Sequence, residues 1–255
     1  MPTNATVTGR RRGVWATWVL GAAVSVLGAC SKAESDHLAQ HNSRVVLDAP
    51  ADGTAIVAST FFNDVFVNRV TTDGDTILVT GSPGVSLPVL PNAFDKDYSG
   101  SGDAFVARFD GQLSRLMAAT YIGGSGNDDI GGILVDSSGR IVIAGVTASP
   151  DYPTTPGAYH TVKGGSGVST YTSMVSCLSA DLSQLVYSSF LGPSPGGWAS
   201  DVAVFGPGDV ALVGSFAFCD FPVTPGAFDV TCGGNDGYVA RMQLEPSTWG
   251  YMDGA

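Results

Sequence analysis

Charge and histidine are both scarce in this 255-residue chain. Asp, Glu, Lys and Arg make up 14% of it, and there are 3 His. Scarce charge alongside 44% hydrophobic residues permits a sizeable core. The histidines do not form a catalytic or metal-binding set: only His160 lies in the ordered-looking part, and His37 and His41 fall in a polar stretch with no third ligand at a motif spacing. There is no HExxH, CxxC, P-loop or dinucleotide fingerprint, so none of these chemistries is written in a short motif. Basic residues are short too. Arg10, Arg11 and Arg12 are the only charges before residue 30, and without them 9 basic residues face 23 acidic ones, a net charge of −14. Such a surface repels nucleic acid and anionic headgroups.

Glycine (34) and proline (14) are abundant. With so little charge, this mix suits short strands joined by turns and argues against a helical bundle. The N-terminus has a separate logic. The three arginines precede an uncharged run from Gly13 to Cys30, 18 residues rich in Gly and Ala. A basic start, a short apolar run and small residues before a cut describe an export signal over residues 1–29. Leu27-Gly28-Ala29-Cys30 resembles the lipobox of bacterial lipoproteins, which implies a diacylglyceryl group on the Cys30 thiol. Ser31 in the next position resembles lipoproteins that move on to an outer membrane. The expected address is therefore the cell envelope, with a lipid anchor in the outer membrane or an exported chain. Residues 30–51 are polar and weakly patterned, a flexible tether.

From residue 52 to 250 the chain repeats itself. Pro88-Val89-Leu90-Pro91-Asn92-Ala93-Phe94 returns as Pro153-Thr154-Thr155-Pro156-Gly157-Ala158-Tyr159 and as Pro222-Val223-Thr224-Pro225-Gly226-Ala227-Phe228, at intervals of 65 and 69 residues. Each copy follows an apolar run ending in Gly81, Gly145 or Gly214. Each precedes a strand-like segment: Asp103–Asp110, Thr172–Asp181 and Asp236–Leu244. A small-small-aromatic-apolar segment completes the set: Ser59–Phe62, Ala119–Ile122 and Ser188–Leu191. The unit reads as four short antiparallel strands, in three copies over about 52–118, 119–187 and 188–250, with 251–255 opening a further one. The terminal aromatic of each proline loop is expected to pack back on its sheet. One four-stranded sheet cannot bury both faces, so such units are expected to stack face to face.

The run Ala118–Tyr159, with YIGGSGNDD, RIVIAG and YPTTPGAY, resembles the SBBP-type β-propeller repeat named for seven-bladed bacterial propellers. The resemblance implies an all-β fold built from antiparallel four-stranded blades of a β-propeller. Propellers close with about 4–8 blades. Three repeat units therefore imply an incomplete ring, self-association that completes it, or a truncated remnant of a longer propeller protein. It implies no activity, because propellers host many functions.

Gly123-Gly124-Ser125-Gly126-Asn127-Asp128-Asp129 fits the calcium-binding nonapeptide of β-rolls. A roll site needs consecutive copies and only one is present, so the run reads as a connecting turn. Weak calcium binding through Asp128 and Asp129 is the alternative. Cys219 and Cys232 flank the third proline loop; an oxidising envelope permits a disulfide closing about 14 residues, contributing up to ~3 kcal/mol. Cys177 reads as a small core residue. Trp198, Trp249, Tyr152 and Phe221 are candidates for a sugar platform, or else core and rim packing. No catalytic residue is assigned. The expected function is a binding or scaffolding module at the cell surface, with a protein or a glycan as partner. The alternative is an envelope hydrolase or lyase acting on polysaccharide.

Overall fold

The computed structural model describes residues 56–84, 86–165, 170–192, 195–206, 208–218 and 221–244. The expected signal, Cys30 and the tether lie outside these residues, as do Cys219 and Trp249. The chain divides into two units, 1–63 and 64–255. In the first, residues 56–62 are irregular, so the expected strand at Ser59–Phe62 does not form. Thr60 instead donates its hydroxyl to the adjacent Phe61 carbonyl, a local contact with no strand ladder.

The second unit is all-β among the described residues, with three antiparallel sheets. The first holds β1 (Val65–Asp73), β2 (Thr76–Pro83), β3 (Ala104–Asp110) and β4 (Leu116–Ile122), in chain order. The second holds β5 (Asp128–Val135), β6 (Ile141–Thr147), β7 (Thr172–Leu178) and β8 (Leu185–Leu191), again in order. The third holds β9 (Gly197–Gly206), β10 (Asp209–Phe216) and β11 (Asp236–Gln243). Sheet and sequence unit are out of phase by one strand. Ala119–Ile122, which opens the second sequence unit, lies in β4 and pairs with β3 of the first sheet.

Turn chemistry sets the hairpins. Gly74, Gly139 and Gly208 take positive φ in the first-to-second-strand turns. Asp136 accepts from the amides of Ser138 and Arg140 at 2.8 and 3.0 Å and so fixes the β5–β6 turn. The proline loops carry the same turn hydrogen bond three times: Ala93, Ala158 and Ala227 donate their amides to Leu90, Thr155 and Thr224. Pro91, Pro156 and Pro225 sit second in these turns, and Gly157 and Gly226 third at φ +81°. The second and third turns are thus of type II, in which proline presets the second residue and glycine supplies the positive φ; Asn92 of the first turn does not take positive φ. Beyond the turn the first two loops run along a fourth strand. The Tyr121 amide donates to Asp95 O (3.2 Å) and the Phe190 amide to His160 O (3.1 Å). Thr120 and Ser189 lend their hydroxyls to the same seams, which is why small hydroxylated residues precede the aromatic in β4 and β8.

Alternation within the middle sheet divides its side chains between two cores. Ile141, Ile143, Met174, Leu178 and Phe190 join Leu78, Val106 and Ile122 of the first sheet. Val142, Ala144, Val175, Cys177 and Leu191 join Ala199, Val210, Leu212 and Tyr238 of the third. A sheet buried on both faces is the expected outcome for stacked units. β5 lies against β1 on one side and β9 on the other. There the backbones come close: Arg69 Nε donates to Gly131 O, and Gly131 and Gly132 sit so near Ala199, Ser200 and Asp201 that neither has room for a Cβ.

The first strands share a bulge, at Asn68, Gly131 and Ser200, where the ladder skips a residue; β9 skips Phe205 as well. Opposite each of these bulges stands a glycine two residues before the end of the second strand. A Cβ on Gly81, Gly145 or Gly214 would overlap the carbonyl oxygen of Phe66, Asp129 or Trp198. The repeated glycine thus answers to a repeated bulge.

The loop aromatics behave differently from one another. Phe94 packs against the core between the first and second sheets, and its amide donates to Leu182 O in the β7–β8 turn at 2.8 Å. Tyr159 is half exposed, held by its amide on Tyr187 Oη (3.2 Å) and by its ring edge on His160. Phe228 is fully exposed. The expectation that each packs back holds for Phe94, which has the next sheet's turn beside it.

Candidate functional site

The site grows from the glycine-rich run that leaves β4. Its backbone is sewn to both sheets. Asp128 N donates to Gly102 O (2.7 Å), Ser101 N to Gly126 O (3.2 Å), and Ala148 N to Asn127 O (2.8 Å). Gly102 and Asn127 also form a parallel bridge between the sheets. This stitching carries Asp128, at the start of β5, to the side of Asp103, just before β3.

Asp103 and Asp128 are 1% and 4% exposed. One oxygen of each is satisfied. Asp103 Oδ2 accepts from the Ser99 amide (2.6 Å) and hydroxyl (3.3 Å). Asp128 Oδ2 accepts from Gly124 N (3.0 Å) and from Ser149 Oγ (2.7 Å). Ser149 is itself fixed by accepting from Gly126 N at 2.8 Å. The other oxygen of each, Oδ1, is buried without a hydrogen-bond partner. The two carboxylates face one small space beside Gly123. A Cβ built on that glycine would overlap Asp103 Oδ1 and lie 2.7 Å from Asp128 Oδ2.

Electrostatics follow from this enclosure. Burial pushes the Asp103 carboxyl up to about 6, and the negative charges of Asp128 and Asp95 push the same way against the Ser99 hydrogen bonds. Burial also raises Asp128, opposed by the hydroxyls of Thr147 and Ser149. At the rim Asp151 is held below the usual carboxylate range by the amide and hydroxyl of Ser125. Two facing carboxylates in so dry a place require neutralisation, by a proton or by a hard cation. Among the described residues no group of three or more His, Cys, Asp or Glu converges in a way that could hold a metal ion. Any cation held here would therefore draw on two carboxylates, with hydroxyl, backbone or water oxygens.

The expected calcium pair is split. Asp128 and Asp129 are neighbours in one strand and point to opposite faces. Asp129 turns outward, where its Oδ1 accepts from Asn68 Nδ2 (3.2 Å) and from the Ile130 amide (2.9 Å). Asp103 takes its place beside Asp128. Nothing in the spacing of Asp103 announced this, because the meeting depends on how the sheets stack. The nearest signal was the Asp that opens DAFVARFD, which returns at Asp236 but not at Thr172.

The other candidates separate. Cys177 is buried in β7. Tyr152 is a core residue, its hydroxyl 3.0 Å from Ser176 Oγ. Phe221 stacks on Tyr238 with ring centroids 4.3 Å apart, and Trp198 lies by Tyr171 at the surface. No sugar platform forms from these three. Cys232 is exposed. No protein-family model matches the chain, and no curated protein matches it.

Proposed function

We propose that the three sheets are successive blades of an SBBP-type β-propeller, and that the protein is a lipid-anchored binding or scaffolding module of the cell envelope. The single observation that supports the blade reading most is that successive sheets meet through their first strands: β1 by β5, β5 by β9. Each sheet is a simple meander, and the middle one is covered on both faces by its neighbours, as blades are. Cys30 is the proposed lipid attachment, with residues 1–29 removed and residues 30–51 as the tether. The outer membrane is the proposed address, and a Cys219–Cys232 bridge would close the third proline loop.

Rigid sheets presenting proline-stiffened loops suit recognition of a protein or a glycan. The hydrolase or lyase alternative would need carboxylates within reach of a polymer. The pair at hand, Asp103 and Asp128, is sealed from solvent, which weighs for binding.

Two arms test this reading. The full chain, expressed in a bacterium and labelled metabolically with a palmitate analogue, is expected to take up label, and Cys30→Ala to lose it. The purified protein is then applied to a glycan array, with a polysaccharide-hydrolase panel run in parallel. Binding without turnover supports the module; release of oligosaccharides from any polymer would establish an enzyme instead.

A further inference from the structure

We infer that Asp103 and Asp128 are the paired ligands of a seat for one hard divalent cation, of the size of calcium, at the junction of the first and second sheets. Three observations carry this, and none depends on the blade reading.

The first is the state of the carboxylates. Each has one oxygen held by protein donors and one oxygen, Oδ1, buried with no hydrogen-bond partner. Buried polar atoms are seldom left so, and here they stand on two neighbouring carboxylates. The charges acting on Asp103 are those of Asp128 and Asp95, and the charge acting on Asp128 is that of Asp151. All are negative, so no counter-charge acts on the pair among the described residues.

The second is the convergence. Asp103 Oδ1 and Asp128 Oδ2 both press on Gly123, closer than 3.0 Å to the point where a Cβ would stand, so the missing side chain there is what lets the two carboxylates meet. The hydroxyls of Ser99, Ser149 and Thr147 surround the pair. An irregular set of hard oxygens suits calcium, which accepts varied geometry, better than magnesium, which demands an octahedron.

The third is a comparison within the molecule. The strand registers place Thr172, Gly192, Gly197 and Phe216 at the second junction where Asp103, Gly123, Asp128 and Thr147 stand at the first. There the Phe216 ring fills the space, and a Cβ on Gly192 would lie 2.5 Å from its Cζ. The same fold therefore closes this position with an apolar plug. The acidic pair is not something the stacking of sheets demands.

The test is isothermal titration of the chelator-stripped full chain with calcium chloride, paired with thermal melts with and without calcium. Wild type is expected to give a one-site isotherm and a higher Tm in calcium. Asp103→Asn and Asp128→Asn, nearly isosteric, are expected to lose both responses. Asp129→Asn, on the opposite face of β5, is expected to keep both. Absence of a calcium response in wild type would overturn the inference and leave a shared proton as the neutralising species. A normal isotherm in Asp103→Asn or Asp128→Asn would overturn it as well, by moving the ion elsewhere. Circular dichroism checks that the variants fold; should they not, the wild-type titration and Asp129→Asn still decide.

Discussion

At the scale of single residues, glycines say most. Gly145 stands opposite the bulge at Gly131, with no room between its Cα and the Asp129 carbonyl. Gly226 has open space around it and is glycine because its φ is +81°. Both read as turn or strand-end glycines in the sequence, yet their substitutions should differ. Gly145→Ala is expected to cost roughly 1–3 kcal/mol, because the bulged strand must shift. Gly226→Ala should cost about 1 kcal/mol, the conformational term alone. Urea unfolding midpoints of the two variants check the order; equal effects would contradict the close-approach argument. The recurrence of Gly81, Gly145 and Gly214 was legible from the sequence, whereas its cause was not. A bulge is a property of pairing between two strands, and only the register shows which residue is skipped.

Strands are tied to turns by ion pairs that recur with the sheets. Arg108 on β3 meets Asp73 at the end of β1, and Arg241 on β11 meets Asp209 at the start of β10. In the middle sheet Cys177 takes the corresponding strand position, and Arg140 within the hairpin turn pairs with Asp136 instead, at 2.8 Å. Hydrogen bonds from Arg241 hold the Asp209 carboxyl below the usual carboxylate range, and the guanidinium charge adds to this. The native state thus favours the ionised form more than the unfolded chain does. Its contribution is full above the ordinary carboxylate value of about 4 and is lost as pH falls through the lower native value. In Arg241→Met the loss of Tm relative to wild type should be largest near neutrality and shrink below about pH 4. A residue of the loss should persist at every pH, because Arg241 also lies over the Phe205 ring, 3.8 Å from its centroid. A loss of Tm that does not vary with pH would sink the ion-pair account. At this scale the sequence was a good guide where local chemistry rules, as in the three proline turns. It failed at Ser59–Phe62, which has the composition of β4 and β8 and makes no strand. Composition specifies a strand poorly when the partner strand decides it.

For the whole molecule, the informative positions are equivalents in different sheets. Val106 and Val175 are completely buried, one in each core, while Val239 in the same place on β11 is 82% exposed. Val213 beside it on β10 is exposed too. The far face of the third sheet is therefore an apolar surface of the kind that its two predecessors cover with a further sheet. The isolated chain is expected to self-associate through this face. In light scattering coupled to gel filtration, Val239→Asp should move the protein toward monomer without loss of Tm. Val175→Asp should unfold it, since it puts a charge between sheets. A monomeric wild type, unaffected by Val239→Asp, would count against the proposal. Face-to-face stacking was legible in advance from strand alternation and the repeat. The meeting of Asp103 with Asp128 was not. Their separation along the chain has no period, and what unites them is the lateral contact of two sheets.

Gly131 and Gly132 let β5 and β9 approach closely at one margin, while Tyr187, Leu191 and Tyr238 fill the same core with bulk further along the sheets. The layer between these two sheets is thus a wedge, thin at one border and thick at the other. That thin border rests on two missing methyl groups, so a glycine-to-alanine change at 131 or 132 would pry β5 and β9 apart and even out the layer between their sheets.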